Sequence, residues 1–153
     1  VKIRIGTLKD LPQILELEKR QGETVSEDLS ALFKIKNANE KYTFLVAEKN
    51  GKITGYSRIH LYTWNNRAFL ISLLVDAKER RKGIGTRLLK TMENFAKENK
   101  ARVLIFDASP DNTPALQLYF KNGLRICGYN DKIYRDGKIA IYLAKELWQL
   151  YQN

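Results

Sequence analysis

The 153-residue chain is long enough to bury a core without metal or disulfide staples and short enough to make a second domain unnecessary, so one domain over 1–153 is expected. Its 27 Lys and Arg against 17 Asp and Glu leave a net charge of +10, which favours anionic partners such as nucleotides, nucleic acid or anionic lipid without selecting among them. A single cysteine, Cys127, excludes an internal disulfide, and the longest apolar run, "AFLISLLV", is too short to span a bilayer; a soluble cytoplasmic protein is expected.

The opening "VKIRIG" alternates as a strand does. "TLKD" then has the spacing of a capping box, and Leu11, Ile14 and Leu15 follow at helical spacing with Pro12 in the first turn. Ser26 is placed to cap a second helix with Leu29, Leu32 and Phe33 on one face. The period then changes. "YTFLVAEKNGKITGYSRIHLYTW" reads as two antiparallel strands around an Asn-Gly turn, and "RAFLISLLVDA" is apolar enough for a central strand. Helical period returns with Ile84, Leu88, Leu89, Met92, Phe95 and Ala96, and "ARVLIFDAS" is a further buried strand, so the three segments form a crossover unit with parallel strands. Asn112 or Thr113 caps a shorter helix with Leu116, Tyr119 and Phe120 along one side. A final hairpin, "RICGYNDKIYRDGKIAIYLAKEL", turns at Asp136-Gly137. The order is mixed α/β around one twisted sheet.

Within "ERRKGIGTRLL", three cations and two glycines run straight into a helix. A helix N-terminus offers unpaired N–H groups and partial positive charge, and glycine lets an anion approach the backbone. Arg80, Arg81 and Lys82 oppose the helix dipole unless an anion sits there. The P-loop pattern is absent. "GIGTRL" matches two glycines of the dinucleotide fingerprint, but Leu88 occupies the third position and "DAKERRK" separates the strand from Gly83 where that motif turns tightly.

Arg80-x-x-Gly83-x-Gly85 after "ISLLVD" resembles the acetyl-CoA signature of the GCN5-related N-acetyltransferases, the GNAT superfamily. "NTPALQLYFKNGL" resembles that family's second signature, with Leu124 where Phe is usual, and the element order fits over nearly the whole chain. The resemblance implies an α/β (α+β) domain whose central twisted mixed sheet has about seven strands flanked by helices, roughly four in number. It also implies an acetyl-CoA-dependent N-acetyltransferase that transfers the acetyl group directly to an amine in a ternary complex.

By that resemblance Arg80 holds the signature's first position, and Arg81, Lys82, Gly83, Ile84, Gly85 and Thr86 cradle the pyrophosphate of coenzyme A. The backbone of Leu73, Leu74 and Val75 pairs with the pantetheine arm, Asn112 contacts the cofactor, and Tyr119 protonates the departing thiolate. Read from the residues alone, Asn112 is a helix cap and Tyr119 is core. Lysine, near pKa 10.4, costs roughly 4 to 5 kcal/mol to deprotonate at pH 7, whereas an α-amine near 8 costs only about 1. The central strand, Ile71-Ser72-Leu73, carries no carboxylate, so the proton goes through water to Glu48, His60 or Asp107, or the amine needs less help. No His or Asp lies near Cys127 in sequence to make it a nucleophile.

Glu23, Glu27 and Asp28 form a negative group that could receive an amine, and Tyr129, Tyr134 and Tyr142 could line a peptide channel. The expected partner is an amine-bearing acceptor, a protein N-terminus, a lysine or a small amine; a homodimer is left open, and no membrane is implied. A non-catalytic coenzyme A-sensing domain is the alternative. A nucleic-acid module is disfavoured because the densest cations precede a glycine loop, and Phe69, Phe95 and Phe106 sit in apolar stretches.

Overall fold

Asn50 and Gly51 both take left-handed conformations, with φ of 52° and 76°, which a two-residue hairpin turn of matching twist requires. They join strands β2 (Glu40–Lys49) and β3 (Lys52–Tyr62), the longest pair of a seven-stranded sheet. The computed structural model describes residues 1–22 and 40–148. The expected second helix and the group of Glu23, Glu27 and Asp28 lie outside those residues.

The other strands are β1 (Lys2–Ile5), β4 (Arg67–Val75), β5 (Val103–Ala108), β6 (Arg125–Asn130) and β7 (Ala140–Glu146). Their order is β1-β2-β3-β4-β5-β7-β6, antiparallel except for β4 and β5. That parallel pair needs a crossover, supplied by helix α2 (Ile84–Glu98). Helices α1 (Leu11–Arg20) and α3 (Thr113–Lys121) complete the three α-helices of the described residues, a mixed α/β fold.

Two apolar layers sandwich the sheet. On one face the α2 stripe of Ile84, Leu88, Leu89 and Met92 packs on Ile59, Leu70, Leu104 and Phe106. On the other, Leu11, Ile14 and Leu17 of α1 pack on Phe44, Val46 and Tyr56. Two expected core positions fall elsewhere. Leu15 is 39% exposed while Leu17 is fully buried, because a short 3-10 turn (Leu8–Asp10) precedes α1 and the inward stripe runs 11, 14, 17, 18. Phe120 is 49% exposed, leaving Tyr119 as the buried residue of α3.

The start of α1 is fixed by charge. Asp10 accepts from the Thr7 backbone N–H at 2.8 Å, which is the returning half of the expected capping box, and takes both terminal nitrogens of Arg4 at 2.8 Å. The Arg4 guanidinium, more than any other contact, holds the Asp10 carboxyl down at about 2. Because the folded value lies below the unfolded one, this stabilisation is complete above about pH 4 and is lost as the pH falls toward 2. Allowing for solvent screening it is worth about 1 to 2 kcal/mol. Asp10→Asn should lower the urea midpoint at pH 7, and the gap from wild type should close by pH 2. A gap of the same size at both pH values would mean that the charge contributes nothing.

Candidate active site

Strands β4 and β5 pair only from Arg67 to Phe69 against Val103 to Ile105. The cause lies in β4 itself. Ile59 of β3 faces Leu70, but its neighbour Arg58 faces Ser72, so Ile71 is an extra residue. Such a bulge bends its strand and raises the local twist. Beyond it β4 stays with β3 and leaves β5, and a cavity of about 830 Å³ occupies the opening. Among the described residues, the β5-facing edge of Leu73, Leu74 and Val75 has no strand beside it, and these residues form one wall.

The second wall is the loop entering α2. Arg81 and Gly83 both adopt left-handed backbone, with φ of 64° and 80°, the kind of turn from which backbone anion sites are built. A Cβ built on Gly83 would meet nothing within 4 Å, so the space above it is open. Gly85 is the opposite case: a Cβ there would lie 3.3 Å from Leu118 Cδ2 and 3.8 Å from both Leu73 Cδ2 and Val75 Cγ2. Its lack of a side chain is what lets α2, α3 and β4 converge.

The loop cations divide their tasks. Arg80 lines the cavity, with its Nε donating to Val75 O at 3.1 Å and its Nη2 donating to Gln21 Oε1 beyond the end of α1. Lys82 does not line the cavity; its Nζ donates to Lys78 O and Glu79 Oε2, each at 3.1 Å. Glu79, ionised more readily through Lys82 and then Lys49, does line it. Among the described residues Arg81 alone of the three cations forms no side-chain hydrogen bond or ion pair, which leaves its charge for a ligand. Ile84, Gly85 and Thr86 complete this wall.

The third wall is α3. Asn112 caps it, Oδ1 accepting from Ala115 N at 3.3 Å, and also lines the cavity, so both readings of this residue hold geometrically. Tyr119 is 6% exposed, with its ring 4.7 Å from that of Phe106. Burial, reinforced by the negative charge of Asp107, pushes its phenol well above the usual tyrosine range, so it stays protonated at neutral pH. Asp107 follows Phe106 on β5 and therefore faces the other side of the sheet. There its Oδ2 accepts from the Tyr134 hydroxyl at 2.6 Å. Tyr134 too is pushed upward, by burial first and then by Asp107.

The other base candidates stand apart from Tyr119. Glu48 accepts from Arg4 Nε at 2.8 Å near the far edge of the sheet. His60 is 5% exposed between the rings of Tyr42 and Tyr62, at 3.8 and 3.9 Å. Its Nε2 lies 3.2 Å from Glu40 Oε2, and burial lowers its pKa despite that carboxylate. Tyr142 faces the Asp107 side, opposite that residue in register, while Tyr129 pairs with Ile141 on the other face and is 71% exposed. The three tyrosines thus do not share one channel wall.

Pro114, Gln117, Leu118 and Lys121 line the cavity without having been expected to. They recur at i, i+3, i+4 and i+7 of α3, a stripe of mixed polarity that hydrophobic periodicity does not register.

A profile of the acetyltransferase (GNAT) family matches residues 9–124. An N-alpha-acetyltransferase of Sulfurisphaera tokodaii is 29% identical over 158 aligned positions, 95% of this chain and 93% of that one. A streptothricin acetyltransferase of Streptomyces lavendulae is 28% identical over 67% of this chain, which spans only 56% of that protein. In structure, a putative streptothricin acetyltransferase from Bacillus anthracis in complex with acetyl coenzyme A superposes with a TM-score of 0.78 at 20% identity, over 95% of this chain and 98% of that one. Since the family profile takes in both the glycine loop at Arg80–Gly85 and the Asn112–Leu124 segment, the chain belongs to the GNAT family of acetyltransferases.

Proposed function

We propose that this protein is an acetyl-CoA-dependent N-acetyltransferase that acetylates a primary amine, a protein N-terminus, a lysine or a small amine, by direct attack in a ternary complex. The observation that carries the reading is the opening between β4 and β5, with an anion-shaped loop at one end and the Tyr119 phenol within its walls. The residues present fit coenzyme A. The curled backbone at Arg81 and Gly83, with open space above it and a free guanidinium beside it, suits a diphosphate. The unpaired edge of Leu73–Val75 suits an amide-bearing chain lying alongside, as an added strand would.

Bound acetyl-CoA supplies the thioester that the amine attacks. In this chain, the free edge of β4 presents backbone donors where charge develops on the carbonyl oxygen. Tyr119, held neutral, donates a hydrogen bond to the departing sulfur; its raised pKa makes full proton transfer to a thiolate, near 8.5, uphill, so the phenol stabilises more than it titrates. Asp107 is the candidate base whose charge reaches Tyr119, and it accepts a bond from Tyr134 on the face of β5 opposite α2. In this reading it collects the amine's proton.

The direct test is a thiol-release assay over free-N-terminus peptides, lysine peptides, polyamines and aminoglycosides. Acetyl-CoA binding with no turnover on any amine would overturn the reading. Asp107→Asn should lower kcat/KM about tenfold at pH 7 for an α-amine near pKa 8, with the loss shrinking above pH 8 where the amine is already neutral. A loss independent of pH would remove Asp107 as the base.

A further inference from the structure

Helix α3 lines the cavity along more of its surface than acetyl transfer uses. An α-helix turns by about 100° per residue, so Leu118 divides the cavity-lining residues of α3 into two flanks. Leu118 itself faces the cofactor loop, since a Cβ on Gly85 would lie 3.3 Å from its Cδ2. On one side, about 60° and about 100° away, are Ala115 and Tyr119, which pack into the core beside Phe106. On the other side, about 40°, about 60° and about 100° away, are Pro114, Lys121 and Gln117, all exposed.

Coenzyme A is divided in the same way. Its diphosphate joins a pantetheine arm that ends in sulfur to an adenosine whose 3′ carbon carries a separate phosphate. With the diphosphate on the loop opposite Leu118 and the sulfur at Tyr119, the pantetheine arm takes the buried flank of α3. The exposed flank is what remains for the nucleotide. Its chemistry suits that arm: a phosphate monoester carries about 1.5 to 2 negative charges at neutral pH, and Lys121 is the one cation among the described lining residues of α3. Gln117 stands one turn earlier, at i, i+4 spacing, and offers a neutral donor beside the ammonium. Arg80 and Arg81 belong to the loop wall, so their charges fall to the diphosphate end of the cavity.

We infer that the Gln117–Lys121 flank of α3 is a subsite for the 3′-phosphate of the cofactor, with the Lys121 ammonium pairing with that phosphate and the Gln117 amide donating beside it. The inference rests on the acetyl-CoA reading above and adds to it a preference for the 3′-phosphorylated cofactor over its dephosphorylated form. Lys121 also ends the last turn of α3, where a cation complements the helix dipole. That second role concerns the helix alone and is blind to the ligand's 3′ position, so the two roles leave different signatures.

The test uses the full chain and calorimetric titration with coenzyme A and 3′-dephospho-coenzyme A, which differ in that phosphate alone. Wild type should bind coenzyme A about tenfold more tightly than the dephosphorylated form. Lys121→Ala should weaken coenzyme A about fivefold, as expected for one exposed ion pair, and leave the affinity for dephospho-coenzyme A within about twofold. The fivefold loss should shrink as salt rises from about 0.05 M to about 0.5 M, because the pair is screened. Gln117→Ala should remove the remaining twofold, again for coenzyme A only. Arg81→Ala should weaken both ligands alike, since both carry the diphosphate. Equal affinity of wild type for the two ligands, or a Lys121→Ala change that is the same for both, overturns the subsite and leaves the acetyl-CoA reading standing. A loss in Arg81→Ala confined to coenzyme A places the 3′-phosphate on the loop and likewise overturns it. A wild-type protein that binds neither ligand overturns the acetyl-CoA reading, and the subsite with it.

Discussion

Tyr119→Phe should lower kcat by about 10²-fold while leaving acetyl-CoA affinity within about twofold. The substitution is unusually clean. The ring is 6% exposed and packs 4.7 Å from Phe106, contacts that phenylalanine keeps. Among the described residues no protein group bonds the Tyr119 hydroxyl, so its removal strands no partner and should cost little stability. On the proposed reading, what is lost is a neutral donor at the sulfur, kept protonated by burial and by Asp107. The thiolate must then leave unassisted, which affects the transition state and not the ground state. Rapid-quench or thiol-release kinetics at saturating acetyl-CoA measure kcat directly, and calorimetry measures the affinity. An unchanged kcat would remove Tyr119 from the mechanism; a parallel loss of affinity would mean that it shapes the cavity instead.

Those features of the site that were legible in the sequence are the ones written locally. Asn112 before Thr113-Pro114 marks a cap and Asn50-Gly51 marks a hairpin, whereas the packing of Leu118 against Gly85 has no such local mark. The cap and the hairpin each depend on a few neighbouring residues. The opening itself could not be read from residue periodicity. It arises because β4 carries one residue more than β3 allows at Ile71, and the same "ISLLV" could equally have been an unbroken central strand. Ile71, 40% exposed, shows the consequence in a segment whose composition argued for burial throughout. Long-range polar pairs were equally invisible. Tyr134 meets Asp107 across 27 positions, and Tyr56 meets Glu18 across 38. Neither spacing has a periodic signature. Lys82 shows the converse limit: a cation in the right motif is drawn to a nearer carboxylate, Glu79, that pattern matching ignores.

Gly85→Val should cost both cofactor binding and stability, and the comparison with Gly83→Ala separates the two reasons for glycine in this loop. At position 85 the backbone is ordinary helix, so a side chain brings no strain of its own. The cost is spatial. A Cβ already sits 3.3 Å from Leu118 Cδ2, and the two methyls of valine must displace Leu118, Leu73 or Val75, which link α3 and β4 to α2. Overpacking of this kind costs about 1 to 3 kcal/mol, a fall in Tm of roughly 2 to 12 °C for a domain of this size. Since the displaced residues are the walls of the cavity, coenzyme A affinity should fall at least tenfold, by about 1.4 kcal/mol or more. At position 83 the situation is reversed: space is open, but φ is 80°, and the left-handed conformation costs a non-glycine residue about 1 kcal/mol. Gly83→Ala should therefore lower Tm slightly and, because its methyl enters the open space proposed for the diphosphate, weaken coenzyme A binding as well. Thermal melts with and without coenzyme A distinguish the cases, because a ligand that still binds restores stability by mass action. Coenzyme A should raise the Tm of Gly83→Ala less than that of wild type and leave Gly85→Val nearly unmoved. Equal ligand-induced shifts in all three proteins would mean that the walls at Leu118 and Val75 do not touch the ligand.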